Sequence, residues 1–173
     1  MRARGDAPDP GRRAALLGGA AATALAVGGA WWWTAGRRPA GAFEVDLSED
    51  EWRDRLTEAE YAILRQSGTE QPYSSPLNDE ARSGTYACAG CGNVVYDADH
   101  KFDSGTGWPS FWQATAGDVV GQRPDPAILG LAIEAYCARC GGHLGHVFDD
   151  GPEPTGLRHC INGIALDFAP TSA

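Results

Sequence analysis

The chain has 173 residues, of which 43% are apolar, and its formal net charge is −9. That length fits one domain with a terminal extension, and the apolar content excludes a disordered chain. The charge is unevenly divided: residues 1–42 hold six arginines and two aspartates, a net of +4, so the remainder carries −13. A domain that acidic is repelled by phosphate backbones, and we expect no nucleic-acid partner.

Residues 1–42 have the pattern of an export signal. Arg12 and Arg13 precede an uncharged run, 14–33, whose twenty residues could cross ~30 Å of hydrocarbon as a helix. Twin arginines before a mildly apolar, Ala- and Gly-rich run are typical of twin-arginine signals, and the excess of arginines before the run favours an N-terminus inside. We therefore expect export to the periplasm. Two alternatives stay open: cleavage near residues 40–42, or retention of 14–33 as a membrane anchor.

Two capping boxes open the exported part, residues 43–173. Each is a Ser or Thr followed three residues later by Glu, and they begin at Ser48 and Thr57. In such a box the hydroxyl and the carboxylate bind the free N–H groups at the start of a helix. They predict two short helices, at 49–55 and 58–67, the second ended by a glycine.

The rest of the exported part has the pattern of β-structure, because apolar and polar residues alternate and turns recur. The predicted strands are 84–88, 93–97, 128–137, 143–148 and 158–168. The sequence therefore predicts a mainly β domain with short peripheral helices.

The five cysteines divide into four plus one. Cys88 and Cys91, and likewise Cys137 and Cys140, form two CxxC pairs that are each followed by Gly. Two such turns can aim four thiolates at one point, which is the geometry of a closed structural zinc site. Disulfide bonding is the alternative in an oxidising compartment. We favour zinc, and four thiolates leave no open position for a catalytic water.

Cys160 remains, either as an inert core residue or as a nucleophile. Arg158, His159 and Asn162 surround it in the sequence. Cationic and hydrogen-bonding neighbours lower the pKa of a thiol and expose its thiolate. These neighbours favour a catalytic role for Cys160 over an inert one in the core.

Three of the four histidines lie between residues 143 and 159. His143 and His146 could be a metal pair, but the four cysteines already satisfy zinc, so we expect at least one of them to act as an acid or hydrogen-bond donor. On a regular strand they point to opposite faces, and Gly145 would have to bend the chain for them to converge. His100 and His159 are interpreted as surface or shell residues.

The segment 102–112 places aromatic residues among glycines and a proline. Phe102, Phe111 and Trp112 fit simple core packing. Trp108 stands between Gly and Pro, and we expect it to line a surface cavity.

Long motifs converge on one family. FDSGTGWPSF, CARCGGHLGHVFDDGPEPTG and RHCINGIALDF, with the TEQPYSSPLN loop and the first CxxC pair, resemble the signatures of the methionine-(R)-sulfoxide reductase B family in order and spacing. The resemblance runs from about residue 48 to residue 169. It implies two small antiparallel β-sheets with peripheral helices, a Cys₄ zinc clip away from the active site, and reduction of methionine-R-sulfoxide, free or in proteins.

The resemblance also implies roles for individual residues. Cys160 is the expected nucleophile, Trp108 holds the substrate methyl group, and His143 and His146 border the pocket. The same motifs supply the rest of the expected site, a polar shell and two further substrate-contacting aromatics: Asp150, Arg158, Asn162, Phe111 and Phe148. A histidine would protonate the sulfoxide oxygen while the thiolate attacks sulfur, which leaves a sulfenic acid.

The chain departs from the family pattern at three positions. Thr106 stands where many members have a resolving Cys, so we expect an external thiol, from a periplasmic thioredoxin-like protein, to regenerate Cys160. Gly163 replaces a Ser, and a weaker local hydrogen bond is expected there. Asp149 replaces a common Pro and should be neutral.

The sequence is compatible with two other functions. The first is a non-catalytic zinc-ribbon module in which the aromatic residues form a ligand cage, and the second is a thiol-dependent hydrolase. No oxyanion-hole signature favours the hydrolase. We expect an enzyme that is a monomer and serves protein repair under oxidative stress.

Overall fold

The computed structural model describes residues 43–125 and 132–171. The predicted signal or anchor, 1–42, and the first four residues of the predicted strand 128–137 lie outside these ranges. Within the described residues no helix has the length and apolar character needed to span a bilayer.

Two short helices lie where the capping boxes predict them. Helix α1 is Glu49–Arg55 and helix α2 is Glu58–Gln66. In each the N-cap hydroxyl accepts the N–H of the third helical residue, whose carboxylate accepts the N-cap N–H in return. Helix α2 ends one residue early because Ser67, not the following glycine, takes the left-handed C-cap conformation, with φ 56°. Trp52 and Leu64 pack the pair onto the core.

Nine strands follow within the described residues, and all pair antiparallel. They are β1 (Gly84–Cys88), β2 (Val94–Asp97), β3 (Lys101–Phe102), β4 (Ser110–Phe111), β5 (Val120–Pro124), β6 (Ile133–Cys137), β7 (His143–Phe148), β8 (Arg158–Ile161) and β9 (Leu166–Pro170). A three-stranded sheet has the order β2-β1-β9, and a six-stranded sheet has the order β3-β4-β8-β7-β6-β5. The predicted fold class, mainly β with two antiparallel sheets and short helices, is confirmed.

The predicted strand 158–168 is in fact two strands of different sheets. Strand β8 ends at Ile161, one 3₁₀ turn spans Gly163–Ala165, and β9 begins at Leu166. The break occurs at Asn162, which donates both its backbone N–H and its side-chain amide to the carbonyl oxygen of Leu144. Strands β3 and β4 have two residues each, and β5 reads VGQRP, so none of the three shows an apolar alternation in the sequence.

The core lies on one face of the six-stranded sheet. Residues directly opposite each other in antiparallel strands share a face, and next neighbours along a strand take the other face. One row of opposed residues contains Phe111, His159 and Val147, which are all buried. The fully buried rings of Tyr86 and Tyr96, from the three-stranded sheet, pack on Phe111 with centroids 5.0 and 4.3 Å away. The opposite face of the larger sheet is therefore the one available for chemistry.

Candidate active site

A row of residues that are all polar except the first crosses the six strands on the face away from the core, and we call it the polar row. Each member is directly opposite the next, and from β3 to β5 the row is Phe102, Ser110, Cys160, His146, Glu134 and Arg123. Cys160 lies near the middle, between Ser110 on β4 and His146 on β7. The register of the sheet thus brings the lone cysteine and one predicted histidine into direct opposition.

His143 joins this face because of an irregularity in β7. Ala135 and Tyr136 are consecutive on β6, yet they oppose Gly145 and His143, so Leu144 is an extra residue on β7. One extra residue reverses the alternation of side chains. His143 and His146 therefore share a face, and their ring centroids are 5.4 Å apart. A Cβ added at Gly145 would overlap the carbonyl oxygen of Cys160, so this position requires glycine, but the change of face comes from the bulge at Leu144 and not from Gly145.

Two carboxylates hold the histidines through different ring nitrogens. Glu134 is 3.0 Å from Nδ1 of His143 and accepts a 2.6 Å hydrogen bond from Arg123 on its other oxygen. Asp125 is 2.7 Å from Nε2 of His146. The side chain of His143 is 2% exposed, whereas that of His146 is 20% exposed. Of the two, only His146 offers surface to a substrate.

Glu134 is ionised throughout the ordinary pH range. Burial alone would raise the pKa of its carboxyl group. Hydrogen bonds from His143 and Arg123, with the charge of that guanidinium, outweigh burial and lower the pKa to about 2. A permanent negative charge therefore lies behind His143.

Cys160 is half-buried, which leaves its sulfur reachable. Burial raises the pKa of its thiol, while a hydrogen bond from Thr106 and the nearby charge of Arg158 lower it. The oxygen of Thr106 is 3.9 Å from the sulfur. Of the three sequence neighbours expected to lower this pKa, Arg158 acts in that direction, but burial is the larger effect.

Arg158 is held in place beside Cys160. Its guanidinium donates to both carboxylate oxygens of Asp150, at 2.9 Å each, and lies 4.4 Å above the ring of Phe148. The hydrogen bonds from Arg158 lower the pKa of Asp150 and keep the pair charged. Phe148 is 36% exposed and shares the polar face, in the place expected of a substrate-contacting ring.

Glu70 ties Trp108 to Asn162 from an otherwise irregular loop. The half-buried indole of Trp108 donates to the carbonyl oxygen of Glu70 at 3.1 Å, and the N–H of Glu70 donates to the side-chain oxygen of Asn162 at 3.0 Å. The carboxylate of Glu70 accepts the N–H groups of Gly163 and Ile164 at 2.5 and 3.1 Å. One buried residue therefore fixes three parts of the site.

Gly163 fits its surroundings because its place beside Glu70 is crowded. A Cβ at this position would overlap the side chain of Ser75. The hydroxyl of Ser75 accepts the N–H of Leu77 at 3.1 Å. The backbone N–H of Gly163 donates to the carboxylate of Glu70, and the weaker local hydrogen bond expected from the replacement of Ser stays a prediction.

The predicted contact of Phe111 with the substrate is wrong. Phe111 has no exposed surface and lies on the core face, so it supports the sheet and cannot contact a substrate. Of the two interpretations of His159, as a surface residue or a shell residue, the structure excludes the surface: His159 is 4% exposed, its Nδ1 lies 3.1 Å from the hydroxyl of Tyr96, and burial lowers its pKa to about 4. Phe102 and Trp112 are half-buried, so core packing describes them only in part.

Sequence reasoning missed Arg123, Asp125, Glu134 and Glu70. Glu134 carries the one available signal, a carboxylate inside a run of apolar residues predicted to be a strand. A charge there requires a partner when it is buried. The other three have no local signal: the partners of Asp125 and Glu70 are 21 and 93 residues away along the chain, and Arg123 lies on a strand, β5, that the sequence does not predict.

The four remaining cysteines form a separate, buried cluster. The turn after each first cysteine is closed by a glycine with positive φ, 71° at Gly92 and 68° at Gly141. All four sulfurs lie within 4.8 Å of one another. The sulfur of Cys88 is 3.8 Å from that of Cys140, and the sulfur of Cys91 is 3.6 Å from that of Cys137. A disulfide needs ~2.05 Å, whereas tetrahedral thiolates ~2.3 Å from one ion lie about 3.8 Å apart. The cluster is therefore positioned to bind a metal ion, as the spacing predicted.

Comparison with known proteins places the chain in a family. The family model described as the SelR domain matches residues 56–170. A peptide methionine sulfoxide reductase MsrB of Bradyrhizobium diazoefficiens is 51% identical over 127 residues, 73% of this chain and 91% of that protein. The proteins of the same name from Methanosarcina barkeri and Leptospira interrogans are 49% and 48% identical, over 72% and 73% of this chain and 87% and 96% of their own lengths. The resemblance inferred from the motifs is confirmed, and the chain belongs to the methionine-(R)-sulfoxide reductase B family.

Proposed function

We propose that this protein reduces methionine-R-sulfoxide to methionine and that Cys160 is its nucleophile. One observation carries the proposal: the only cysteine outside the four-sulfur cluster is half-buried in the middle of the polar row, directly opposite His146. The relatives that this chain matches are peptide methionine sulfoxide reductases by name. An oxidoreductase that acts on methionine sulfoxide accounts for both the position of Cys160 and the names of the relatives.

In the first step the thiolate of Cys160 attacks the sulfoxide sulfur. The thiolate, the sulfoxide and one proton give methionine and the sulfenic acid of Cys160. The oxygen moves from the substrate to the cysteine, so the substrate sulfur is reduced by two electrons and the cysteine sulfur is oxidised by two. Arg158 and Thr106 stabilise the attacking thiolate.

His146 is the residue that supplies the proton to the sulfoxide oxygen. It is opposite Cys160 and part of its side chain is exposed, whereas the ring of His143 is enclosed. Asp125 binds Nε2 of His146, which leaves Nδ1 for the substrate. His143 then acts through the packing of its ring against that of His146.

Trp108 holds the methyl group of the substrate. Its indole N–H is used by the carbonyl oxygen of Glu70, which fixes the ring in one orientation. A fixed ring makes the two sulfoxide epimers unequal, because only one can turn its oxygen toward His146 while its methyl group contacts Trp108.

An external thiol completes the cycle. Thr106, and not a second cysteine, is the residue of its loop that stands beside Cys160. The sulfenic acid and two equivalents of thiol give the free cysteine, a disulfide and water. We assign this role to a thioredoxin-like protein with two thiols.

The metal of the four-cysteine cluster is zinc. Four thiolates in a tetrahedral arrangement suit Zn²⁺, and its function would be to join the turn after β1 to the turn after β6. We also propose, from residues 1–42, that the protein is exported to the periplasm and acts there as a monomer. Fractionation of cells that express the full chain would test the export.

The deciding experiment measures consumption of dithiothreitol by the full chain with each epimer of methionine sulfoxide. We expect consumption in proportion to the R epimer, none with the S epimer, and none with Cys160→Ser. Turnover by C160S, or a preference for the S epimer, contradicts the mechanism. A protein that binds sulfoxide but consumes no reductant is the zinc-ribbon module.

A further inference from the structure

Three hydroxyl groups form a chain that ends at the sulfur of Cys160. The oxygen of Thr106 is 3.9 Å from that sulfur and 2.8 Å from the oxygen of Ser104. Ser104 is in turn 2.7 Å from the hydroxyl of Ser110. Ser110 donates to the carbonyl oxygen of Trp108 at 3.1 Å. The chain therefore connects the nucleophile to the backbone of the loop that carries the substrate-binding indole.

The direction of the hydrogen bonds in the chain follows from the bond between the hydroxyl of Ser110 and the carbonyl oxygen of Trp108. A carbonyl oxygen only accepts, and each hydroxyl has one hydrogen to donate. Ser110 therefore accepts from Ser104, and Ser104 accepts from Thr106. The oxygen of Thr106 then has only lone pairs to offer Cys160, which suits a neutral thiol.

Ionisation of Cys160 requires the opposite direction. A thiolate only accepts, so Thr106 turns its hydrogen to the sulfur, Ser104 donates to Thr106, and Ser110 donates to Ser104. Each change is a rotation about a C–O bond, and no proton leaves the chain. The two serines allow Thr106 to donate to the thiolate without losing its own hydrogen bond.

The fold holds these hydroxyls in place. Ser110 is fully buried and directly opposite Cys160 in the polar row. The N–H of Thr106 points back to the oxygen of Ser104 at 3.4 Å. Gly105 and Gly107, with φ 70° and 92°, make the tight bend that turns the loop toward β8.

We propose that Ser104 and Ser110 are positioning residues which keep the hydroxyl of Thr106 directed at Cys160, so that it stabilises the thiolate needed for sulfoxide reduction. The inference rests on the proposed function of Cys160 as the nucleophile. It gives Thr106 a role of its own in a position where a second cysteine would otherwise resolve the oxidised enzyme.

Other groups around Cys160 also affect its ionisation. Arg158, on the same strand, lowers the pKa of the thiol and Asp150 raises it. His146 faces it from β7, and Ser110 faces it from β4. Substitutions in the hydroxyl chain leave Arg158, Asp150 and His146 in place, so a change in ionisation can be assigned to the chain.

The test is the pH dependence of alkylation of Cys160 by iodoacetamide, measured by peptide mass on the full, metal-loaded chain. We expect Thr106→Val to move the midpoint upward by about one pH unit, which is about a tenfold loss of thiolate at neutral pH. Ser104→Ala and Ser110→Ala should move it in the same direction by about half as much. The matched control is Ser74→Ala, because that hydroxyl binds the carbonyl oxygen of Gln71 in an exposed loop.

Two results would overturn the proposal: a T106V midpoint equal to the wild-type value, or S104A and S110A midpoints equal to that of S74A. If S110A lowers the melting temperature too far to be measured, S104A alone decides, because Ser104 is partly exposed. Alkylation needs no sulfoxide. A protein without reductase activity would therefore refute the proposed function and leave this test intact.

Discussion

His143 and His146 lie on the same face of the sheet, with ring centroids 5.4 Å apart, although they are three positions apart on one strand. Their environments differ. His143 is enclosed with Glu134, and His146 is partly open beside Asp125 and opposite Cys160. This difference predicts that the two residues fail in different ways when they are replaced.

His146→Gln should lower kcat/KM for the sulfoxide by about 100-fold, since a general acid typically contributes 10²–10⁴, and should change stability little. His143→Gln should lower the free energy of unfolding by about 1–3 kcal/mol, because it disturbs a buried hydrogen bond to a charged group. Steady-state kinetics and urea unfolding of both variants separate the two roles. A larger loss of kcat/KM in H143Q than in H146Q, with unchanged stability, would make His143 the proton donor in place of His146.

Thr106→Cys should convert the enzyme to internal resolution. The 3.9 Å separation of oxygen and sulfur brings a second thiol within reach of the sulfenic acid after a small loop movement. One equivalent of sulfoxide without reductant should then give a disulfide between positions 106 and 160, seen by peptide mass. The wild-type chain should instead give a dimedone adduct at Cys160. A dimedone adduct of equal yield in T106C would contradict the prediction.

Gly163→Ser should destabilise the protein, by about 1–3 kcal/mol, because the new side chain overlaps Ser75. Ser75→Gly removes the obstruction at the expense of a hydrogen bond to Leu77. In a double-mutant cycle the two changes together should cost less than the sum of the single changes. Additive free energies of unfolding would show that the site accommodates the serine in another way.

Metal removal should unfold the region around the four-cysteine cluster. Purified protein should contain one zinc ion per chain, and Cys137→Ser should lose it together with a large part of its melting temperature. Cys160→Ser is the matched control, because that sulfur lies outside the cluster, and it should retain the ion. Equal zinc content in the two variants would remove Cys137 from the ligand set.

Stability should fall as the pH is lowered from about 6.5 to 4 because of His159. Burial lowers the pKa of this residue to about 4 from an ordinary 6.5, so the unfolded chain takes up a proton in this window and the folded chain does not. The contribution is present above pH 6.5 and has decreased by up to about 2 kcal/mol at pH 5. His159→Asn should flatten the pH dependence of urea unfolding in this window. An unchanged slope would assign the acid sensitivity to other groups.

The parts of the structure that could be predicted from sequence are those fixed by near neighbours. A capping box, a CxxC turn or a short alternation of apolar and polar residues involves only a few neighbouring positions. Helix α1, strands β1 and β7 and the metal cluster lie where these three patterns predict them. Export, the thioredoxin-like reductant and the boundary at residue 42 stay predictions.

The contacts that were missed depend on strand register, which the sequence does not reveal. Ser110 and Phe111 are adjacent, yet one faces Cys160 and the other faces the core, and only the pairing with β8 decides which. The motif FDSGTGWPSF contains residues that face the core and residues that face the site. The sequence does not distinguish them, which is why Phe111 was expected in the pocket. The bulge at Leu144 and the partnership of Glu134 with His143 likewise involve two strands at once.

Because the polar row crosses six strands, the active site depends on the register of the strands as much as on the identity of its residues. A slip of one residue in any of its five strand pairs would send every member beyond the slip into the apolar interior. Such a misfolded form would keep its four-cysteine cluster, its helices and most of its β-structure. Inactive protein with an ordinary circular dichroism spectrum is therefore the defect to look for when this fold is engineered.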